Sequence, residues 1–171
     1  KPRFDFILLD CAAGIERTVM AAVSASDEAL LIAMPTSPSI ADVLKAKMTA
    51  QRLGSKPAGV IVNFYRQEKG EIKKEDIMKL LELPVISAIP YDDEMRRSFM
   101  QENLKPVMLT KPNTPAAIAI QVAAAKLAGL PIQVEQPKGG LFGGLIDRIM
   151  SIFRPKQAKK GGTTNDQQQA F

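Results

Sequence analysis

Continuous apolar runs alternate with helical patterns from residue 4 to about residue 129, and this alternation limits the folds that the chain can adopt. The strand-like runs are "FDFILLD", "EALLIAM", "PAGVIVN" and "PVISAIP". The helical stretches are "IERTVMAAVSAS", "SPSIADVLKAKMTAQRLG", "IKKEDIMKLLEL", "DDEMRRSFMQEN" and "TPAAIAIQVAAAKLAG". The runs are hydrophobic throughout, which is typical of parallel strands covered on both faces. The pattern predicts an α/β fold: a doubly wound, mostly parallel sheet with helices on both faces.

Residues that favour helix ends support these boundaries. Ser37 as a cap with Pro38 at the first helical position predicts one helix start, and Thr114, also followed by proline, predicts the start of the last helix. Gly54 and Gly129 predict the ends of the same two helices, because glycine readily adopts the left-handed conformation that follows a helix.

The chain changes character after the last of these helices. Residues 1–130 read as part of one domain, 131–140 as a linker punctuated by Pro and Gly, and 141–154 as an amphipathic helix. Residues 155–171 are polar and predict a disordered tail. Because the chain begins with Lys1 and a strand-like run follows almost at once, we expect a portion of a longer protein.

Composition excludes several classes of chemistry. The sequence has no histidine and a single cysteine, Cys11. It therefore offers no His-based catalytic triad, no His/Cys zinc site and no internal disulfide, which fits a reducing cytosol. No apolar run reaches the ~20 residues that cross a bilayer, and no secretory leader opens the chain. We expect a protein that is neither membrane-spanning nor secreted, and whose chemistry uses carboxylates, backbone groups and bound ions.

The net charge of +5 is concentrated near the end of the chain. From Lys138 onward there are six basic and two acidic residues, which leaves only +1 for the 137 residues before them. A near-neutral body with a basic tail indicates an anionic partner for the tail instead of a body coated by nucleic acid.

The first apolar run ends at an acid, Asp10, and a glycine, Gly14, follows four residues later. Ligands of doubly wound sheets bind beyond the carboxyl ends of the strands. A carboxylate at such an end suits a Walker-B role, in which it orients the water shell of a Mg²⁺ bound to nucleotide phosphates. Gly14 would bring a backbone N–H close to the terminal phosphate. The alternative is a turn that happens to contain an acid and a glycine.

The segment "FDFILLDCAAGIER" resembles the Walker-B and switch-II segment of the MinD/ParA family of deviant Walker ATPases, and most closely that of its MinD branch. The similarity continues in order through "ADVLKAKMTAQRLGSKPAGVIVN", "VISAIPYDDEMRRS" and "KPVMLTKPNTPAAIAI", over residues 4 to about 130. The resemblance implies a P-loop NTPase fold, the cofactors ATP and Mg²⁺, a catalytic role for Asp10 and Gly14, and Mg²⁺ held by Asp10 through water.

Three further positions match nucleotide-binding positions of the family. Asn63 stands where the family uses an asparagine to bind adenine, and the backbone around Pro90 would border the same base. An asparagine at a strand end is otherwise commonly a turn residue. Asp92 matches the same nucleotide loop, although we favour its interpretation as the N-cap of the next helix.

The chain departs from the family pattern at three places. Ala13 stands where a proline often precedes the switch glycine, and Thr36 stands where MinD proteins tend to have glutamate. Phe64 follows the asparagine where the family often has arginine. These departures bear on loop geometry and dimer contacts, and they remove no phosphate or metal group.

No segment of the chain reads as the glycine- and lysine-rich phosphate loop that such ATPases carry upstream of Walker B. Without those amides and that lysine, we expect this chain by itself neither to bind ATP tightly nor to hydrolyse it. We also expect one edge of its sheet to lack a neighbour and to be prone to aggregation.

The segment "LFGGLIDRIMSIFR" separates completely into two halves on a helical wheel. Two cations, Arg148 and Arg154, lie in the polar half. This arrangement favours a helix in the lipid interface with cations at anionic head groups, and docking on the domain or on a partner helix is the alternative. The eight apolar members are Leu141, Phe142, Leu145, Ile146, Ile149, Met150, Ile152 and Phe153.

These features together predict the function of a full-length parent protein. It would be a MinD-like ATPase that forms a homodimer with ATP and binds an anionic membrane surface. It would position the cell-division site with division-inhibitor or topology-factor proteins as partners, and would be cytoplasmic and peripheral on the inner face of a prokaryotic cell membrane. The alternatives are a ParA-like partition ATPase and a nonenzymatic membrane adaptor. The near-neutral body disfavours the partition ATPase, because such a body has few basic residues with which to bind DNA.

Overall fold

The computed structural model describes residues 3–100 and 105–131. Within these ranges, helices and strands alternate as the apolar pattern predicts, apart from the first run. The helices are α1 (Arg17–Ser24), α2 (Ser37–Arg52), α3 (Lys74–Leu81), α4 (Asp93–Ser98), α5 (Val107–Thr110) and α6 (Pro115–Leu127). The strands are β1 (Glu28–Ala33), β2 (Lys56–Tyr65) and β3 (Val85–Pro90).

The three strands form one parallel sheet in the order β1-β2-β3. Helix α2 connects β1 to β2, and α3 connects β2 to β3, so each pair of neighbouring strands is joined by a helical crossover. Parallel neighbours require such crossovers, because a short turn cannot return the chain to the same end of the sheet.

A hydrophobic core lies on each face of the sheet. One core joins side chains of all three strands to α2 and α3; its buried members are Leu31, Ala33, Ile40, Val43, Val60, Val62, Ile77, Leu81 and Ala88. The second joins Ile61 of β2 and Ile86 of β3 to Ala123 of α6. The predicted α/β class, with a parallel sheet and helices on both faces, is confirmed.

The prediction that residues 4–10 form a strand is wrong in this structure. These residues have no strand partner among the described residues, and the side chains of Phe4, Ile7 and Leu8 are 70%, 78% and 89% exposed. A β-strand exists only through hydrogen bonds to a neighbour, and the one described neighbour of β1 is β2. The hydrophobicity of residues 4–10 indicates a segment that could enter a sheet. It does not show whether a neighbouring strand is present to pair with that segment.

The predicted helix ends are largely as expected. Thr114 is the N-cap of α6 and accepts a hydrogen bond from the Ala117 N–H at 3.4 Å. Gly54 and Gly129 follow α2 and α6 with φ of +86° and +66°. The start of α2 differs by one residue from the prediction, because Thr36 is the N-cap and Ser37 is already helical.

Among the helices in the described ranges, none combines the length and the apolar character that crossing a membrane requires.

Candidate functional site

The carboxyl ends of β2 and β3 lie side by side, and they bring two of the predicted nucleotide-binding residues to one edge of the sheet. Tyr65, the last residue of β2, is the register partner of Pro90, the last residue of β3. Asn63 lies two residues before Tyr65 on the same strand. Loops that follow parallel strands converge at this edge, which makes it the ordinary ligand site of such sheets.

Asn63 organises the backbone at the end of β2. Its Oδ1 accepts a hydrogen bond from the Phe64 N–H at 2.9 Å. Phe64 has φ of +55°, in the left-handed region that bulky residues rarely adopt, and its side chain is half exposed. Among the described residues the Asn63 amide makes no other hydrogen bond, so its two N–H donors and a second acceptor position remain. An amide with a donor and an acceptor free can pair with the edge of adenine.

An aromatic and cationic cluster connects the loops after β2 and β3. The Arg66 guanidinium lies 3.9 Å from the centroid of the Tyr91 ring, a cation–π contact. The Phe64 ring is tilted against the same ring at a centroid distance of 6.1 Å. In the sequence Phe64 stands out only as a departure from the family pattern. The cluster has no signal there, because its members are separated by about 25 residues in the chain.

Glu71 holds the loop after β2 in place. Its carboxylate accepts hydrogen bonds from the backbone N–H groups of Arg66, Gln67 and Glu68, the closest at 2.7 Å from Gln67. Gln67 has φ of +61°, a left-handed conformation that glutamine does not favour. The Glu71 carboxylate therefore stabilises this turn. The charges of "RQEKGEIKKED" look like an ordinary solvated loop in sequence, and only the fold shows that one of them anchors the backbone.

Tyr65 contributes no charge to this edge at neutral pH. Burial raises the pKa of its phenol, and a hydrogen bond from the Lys74 backbone lowers it less. The phenol therefore stays protonated at neutral pH.

Asp92 is the N-cap of α4, as the favoured interpretation predicts. Its Oδ1 accepts from the N–H groups of Glu94 at 2.8 Å and Met95 at 3.4 Å. Its Oδ2 accepts from the N–H of Ala116 in α6 at 3.2 Å. Contact of this side chain with a nucleotide stays a prediction.

Asp10 and Gly14 belong to the first apolar run and the loop after it, which are not part of the described sheet. The Asp10 side chain is exposed and takes part in no hydrogen bond or ion pair within the described ranges. Gly14 has φ of +101°, and a Cβ there would meet no atom within 4 Å. Gly14 therefore uses its backbone freedom in a loop with open space around it. Their catalytic and metal roles stay predictions.

No group of three or more acidic, histidine or cysteine side chains that could hold a metal ion occurs in the part of the chain that the structure describes. A single carboxylate such as Asp10 would contribute to a Mg²⁺ site only together with phosphate oxygens and water, which is the usual arrangement for that ion. The predicted membrane-binding residues, from 141 to 154, lie outside the described residues.

Comparison with known proteins gives a consistent picture, although no protein-family model matches the chain. An uncharacterized ATP-binding protein of Methanocaldococcus jannaschii is 34% identical over 134 residues, which are 78% of this chain and 50% of that protein. A chloroplastic homolog of the septum site-determining protein MinD from Arabidopsis thaliana is 31% identical over 150 residues, 81% of this chain and 45% of that protein.

Solved structures agree with these relatives. The cell-division ATPase MinD of Pyrococcus furiosus matches with a TM-score of 0.69 and 29% identity, over 75% of this chain and 54% of that one. MinD of Pyrococcus horikoshii, complexed with Mg-ADP, matches with a TM-score of 0.67 and 31% identity, over the same shares. The MinC:MinD complex of Aquifex aeolicus matches with a TM-score of 0.68 and 29% identity, over 78% and 55%.

The chain spans about half the length of the relatives and solved structures that it matches. The match nevertheless covers three quarters or more of this chain, which includes the parallel sheet and the helices on both its faces. By sequence and by fold, the chain is therefore a homologue of the MinD proteins and of the uncharacterized ATP-binding protein that it matches.

Proposed function

We propose that this chain is part of a MinD-like ATPase that binds ATP with Mg²⁺, dimerises when ATP is bound, attaches to a membrane and positions the cell-division site. The observation that carries the proposal is the match to MinD of Pyrococcus horikoshii, whose structure contains Mg-ADP. The full-length protein in this proposal is the longer protein that also contains the phosphate loop absent from these 171 residues.

The edge of the sheet at Asn63 and Pro90 would bind the adenine. The Asn63 amide keeps donors and an acceptor position beside its bond to the Phe64 N–H, and these suit the hydrogen-bonding edge of the base. The backbone at Pro90 would border the ring, and Asp92 would act on the base through this loop. The chemistry of the residues present thus fits the base of the nucleotide.

Asp10 and Gly14 would serve the phosphates. The exposed Asp10 carboxylate is free to orient water on Mg²⁺, and the Gly14 backbone can approach a terminal phosphate because it bears no side chain. These two residues provide only part of a phosphate site, which is why we propose that this chain by itself is inactive. Tight binding needs the amides and the lysine of a phosphate loop.

The amphipathic segment 141–154 would bind anionic lipid. Each of its eight large apolar residues gains up to ~1.5 to 3 kcal/mol on burial. Ordering the backbone costs ~1 to 2 kcal/mol per residue, so a single segment should bind weakly and reversibly. Two segments on one dimer would bind much more tightly through their effective concentration. ATP-dependent dimerisation would thereby control membrane attachment from the cytoplasmic side.

A division-inhibitor protein is the proposed partner. The support is the Aquifex aeolicus structure, in which MinD is complexed with MinC. A partition ATPase that binds DNA is not favoured by any observation here: the near-neutral body offers little attraction for a polyanion, and the structure of a ParA family ATPase from Chlorobium tepidum matches at 18% identity, a likeness of fold alone.

Vesicle sedimentation of the full-length protein tests the membrane proposal. With vesicles of phosphatidylglycerol and phosphatidylethanolamine, we expect sedimentation in the presence of ATP and Mg²⁺ and little with ADP. Ile149→Glu, on the apolar half of the segment, should abolish it, whereas Ser151→Glu, on the polar half, should reduce it much less. Equal loss in both variants would indicate charge repulsion alone and contradict insertion of the apolar half.

Phosphate release tests the enzymatic proposal. We expect hydrolysis by the full-length protein and its loss in Asp10→Ala. Circular dichroism should show that the variant keeps its fold. Turnover that is unchanged in Asp10→Ala would contradict the Walker-B role. A full-length protein that binds vesicles without hydrolysing ATP would instead be the nonenzymatic adaptor, and co-sedimentation with DNA would support a partition ATPase.

A further inference from the structure

One carboxylate joins the N-termini of two helices that are distant in sequence. The Asp92 Oδ1 accepts from the first turn of α4, at 2.8 Å from the Glu94 nitrogen. The Asp92 Oδ2 accepts from the Ala116 nitrogen at 3.2 Å, in the first turn of α6 and 24 residues further along the chain. An N-cap needs only one acceptor atom, so the second bond is a connection beyond capping.

Helix α6 is fixed against β3 at two further points. The buried Ser87 hydroxyl donates to the Ala119 carbonyl at 2.9 Å, and the Lys126 ammonium donates to the Ile86 carbonyl at 2.8 Å. The apolar contact of Ile86 with Ala123 lies between them. These contacts hold α6 against β3. The first turn of α6 is therefore a fixed point to which Asp92 attaches the loop between β3 and α4.

The loop between β3 and α4 also carries the aromatic contact to β2. Tyr91, which precedes Asp92, packs against the Phe64 ring and lies under the Arg66 guanidinium. Asp92 therefore holds a segment that contacts α6 through its own carboxylate and the end of β2 through Tyr91.

We infer that Asp92 is a positioning residue that holds the backbone of Pro90 and Tyr91 at the distance from Asn63 that an adenine ring requires. This inference rests on the proposed function. Asp92 does not touch the nucleotide in this arrangement. It acts by joining the loop to α6, and its loss should weaken recognition of the base more than it weakens the fold.

Asp92→Asn separates positioning from capping. An asparagine side chain has one oxygen, so whichever way the amide turns, only one of the two helices keeps its acceptor, and the amide nitrogen faces an N–H of the other. Thr114→Ala is the matched control. It removes the side-chain cap of the same helix, α6, at the Ala117 nitrogen, and leaves the Asp92 bridge intact.

The experiment measures binding of fluorescent ATP and GTP analogues to the full-length protein, together with its thermal stability. We expect Asp92→Asn to weaken ATP binding about three- to tenfold, the effect of one hydrogen bond, and to reduce the preference for ATP over GTP by a similar factor. Thr114→Ala should lower the melting temperature comparably and leave that preference unchanged. Without nucleotide, amide exchange at Ala116 and Tyr91 should rise in Asp92→Asn.

Two results would overturn the inference on separate grounds. An Asp92→Asn variant with the stability of Thr114→Ala and the nucleotide preference of the unmodified protein would show that Asp92 is only a cap. Failure of the unmodified full-length protein to bind ATP would overturn the proposed function, and with it the positioning role.

Discussion

Gly59 of β2 lies so close to Ile86 of β3 that a Cβ at residue 59 would be 2.7 Å from both Cγ1 and Cδ1 of Ile86. That Cβ would also be 2.9 Å from the carbonyl oxygen of Pro84. Gly59 itself has φ of +152°. Both the space and the backbone conformation therefore require glycine at this crossing of the two strands.

Gly59→Ala should lower the free energy of unfolding by about 1 to 3 kcal/mol or more, because overpacking adds to backbone strain. Chemical denaturation in urea measures the change. Gly70→Ala is the control, since Gly70 has φ of +101° and open space around it and so carries only the conformational cost. A loss in Gly59→Ala no larger than that in Gly70→Ala would contradict the predicted clash.

Two buried serines should respond oppositely to removal of their hydroxyl groups. Ser87 donates to the Ala119 carbonyl, so Ser87→Ala should cost about 0.5 to 1.5 kcal/mol. The buried Ser55 hydroxyl has no hydrogen-bond partner among the described residues, so Ser55→Ala should be neutral or stabilising. Urea midpoints of the two variants test the contrast, and equal destabilisation would refute it.

Glu71 should control the order of the loop after β2. Glu71→Ala removes the acceptor of three backbone N–H groups. Hydrogen exchange at Arg66 and Gln67 should accelerate by about 10- to 150-fold, since bonds to a charged acceptor contribute ~1.5 to 3 kcal/mol. Glu75→Ala removes an exposed acid that pairs with Lys74 nearby and should leave these amides unchanged. Acceleration in both variants would point to general loosening of the loop instead of the loss of one anchor.

The edge of the sheet at β1 should make this chain associate when it is studied alone. On β1, Ile32 is 54% exposed, and the apolar side chains of residues 4–9 are exposed as well. An unpaired apolar strand is a site for pairing with other chains. Light scattering after size exclusion should show oligomers, and Ile32→Lys should reduce them. Leu31→Lys, which buries a charge instead, should unfold the domain. A monomer with a cooperative melt would contradict this prediction.

Much of the local structure follows from the order of residues. The apolar runs predicted all three strands, and the helical patterns predicted α1 to α4 and α6, because periodicity and burial are local consequences of side-chain type. Thr114 and Asp92 were predicted as caps for the same reason, since a cap binds an amide two or three residues away. The short helix α5 carries no comparable signal and was not predicted.

The edge of the sheet that we propose for the nucleotide could be predicted only in part. Asn63 and Pro90 were predicted from the resemblance of their segments to a family, and the fold places them on neighbouring strand ends. The contacts of Tyr91 with Phe64 and Arg66, and that of Asp92 with Ala116, join residues from loops about 25 positions apart. No local pattern contains such a distance.

The sequence by itself therefore determined the three parallel strands, five of the six described helices and the caps of α4 and α6, and it predicts which side chains would serve a nucleotide. Only the tertiary structure decided that residues 4–10 stay unpaired, that Gly59 lies against Ile86, and that one carboxylate joins two helices. The physical reason is that propensity and capping act between near neighbours, whereas strand pairing and packing depend on which distant segments meet.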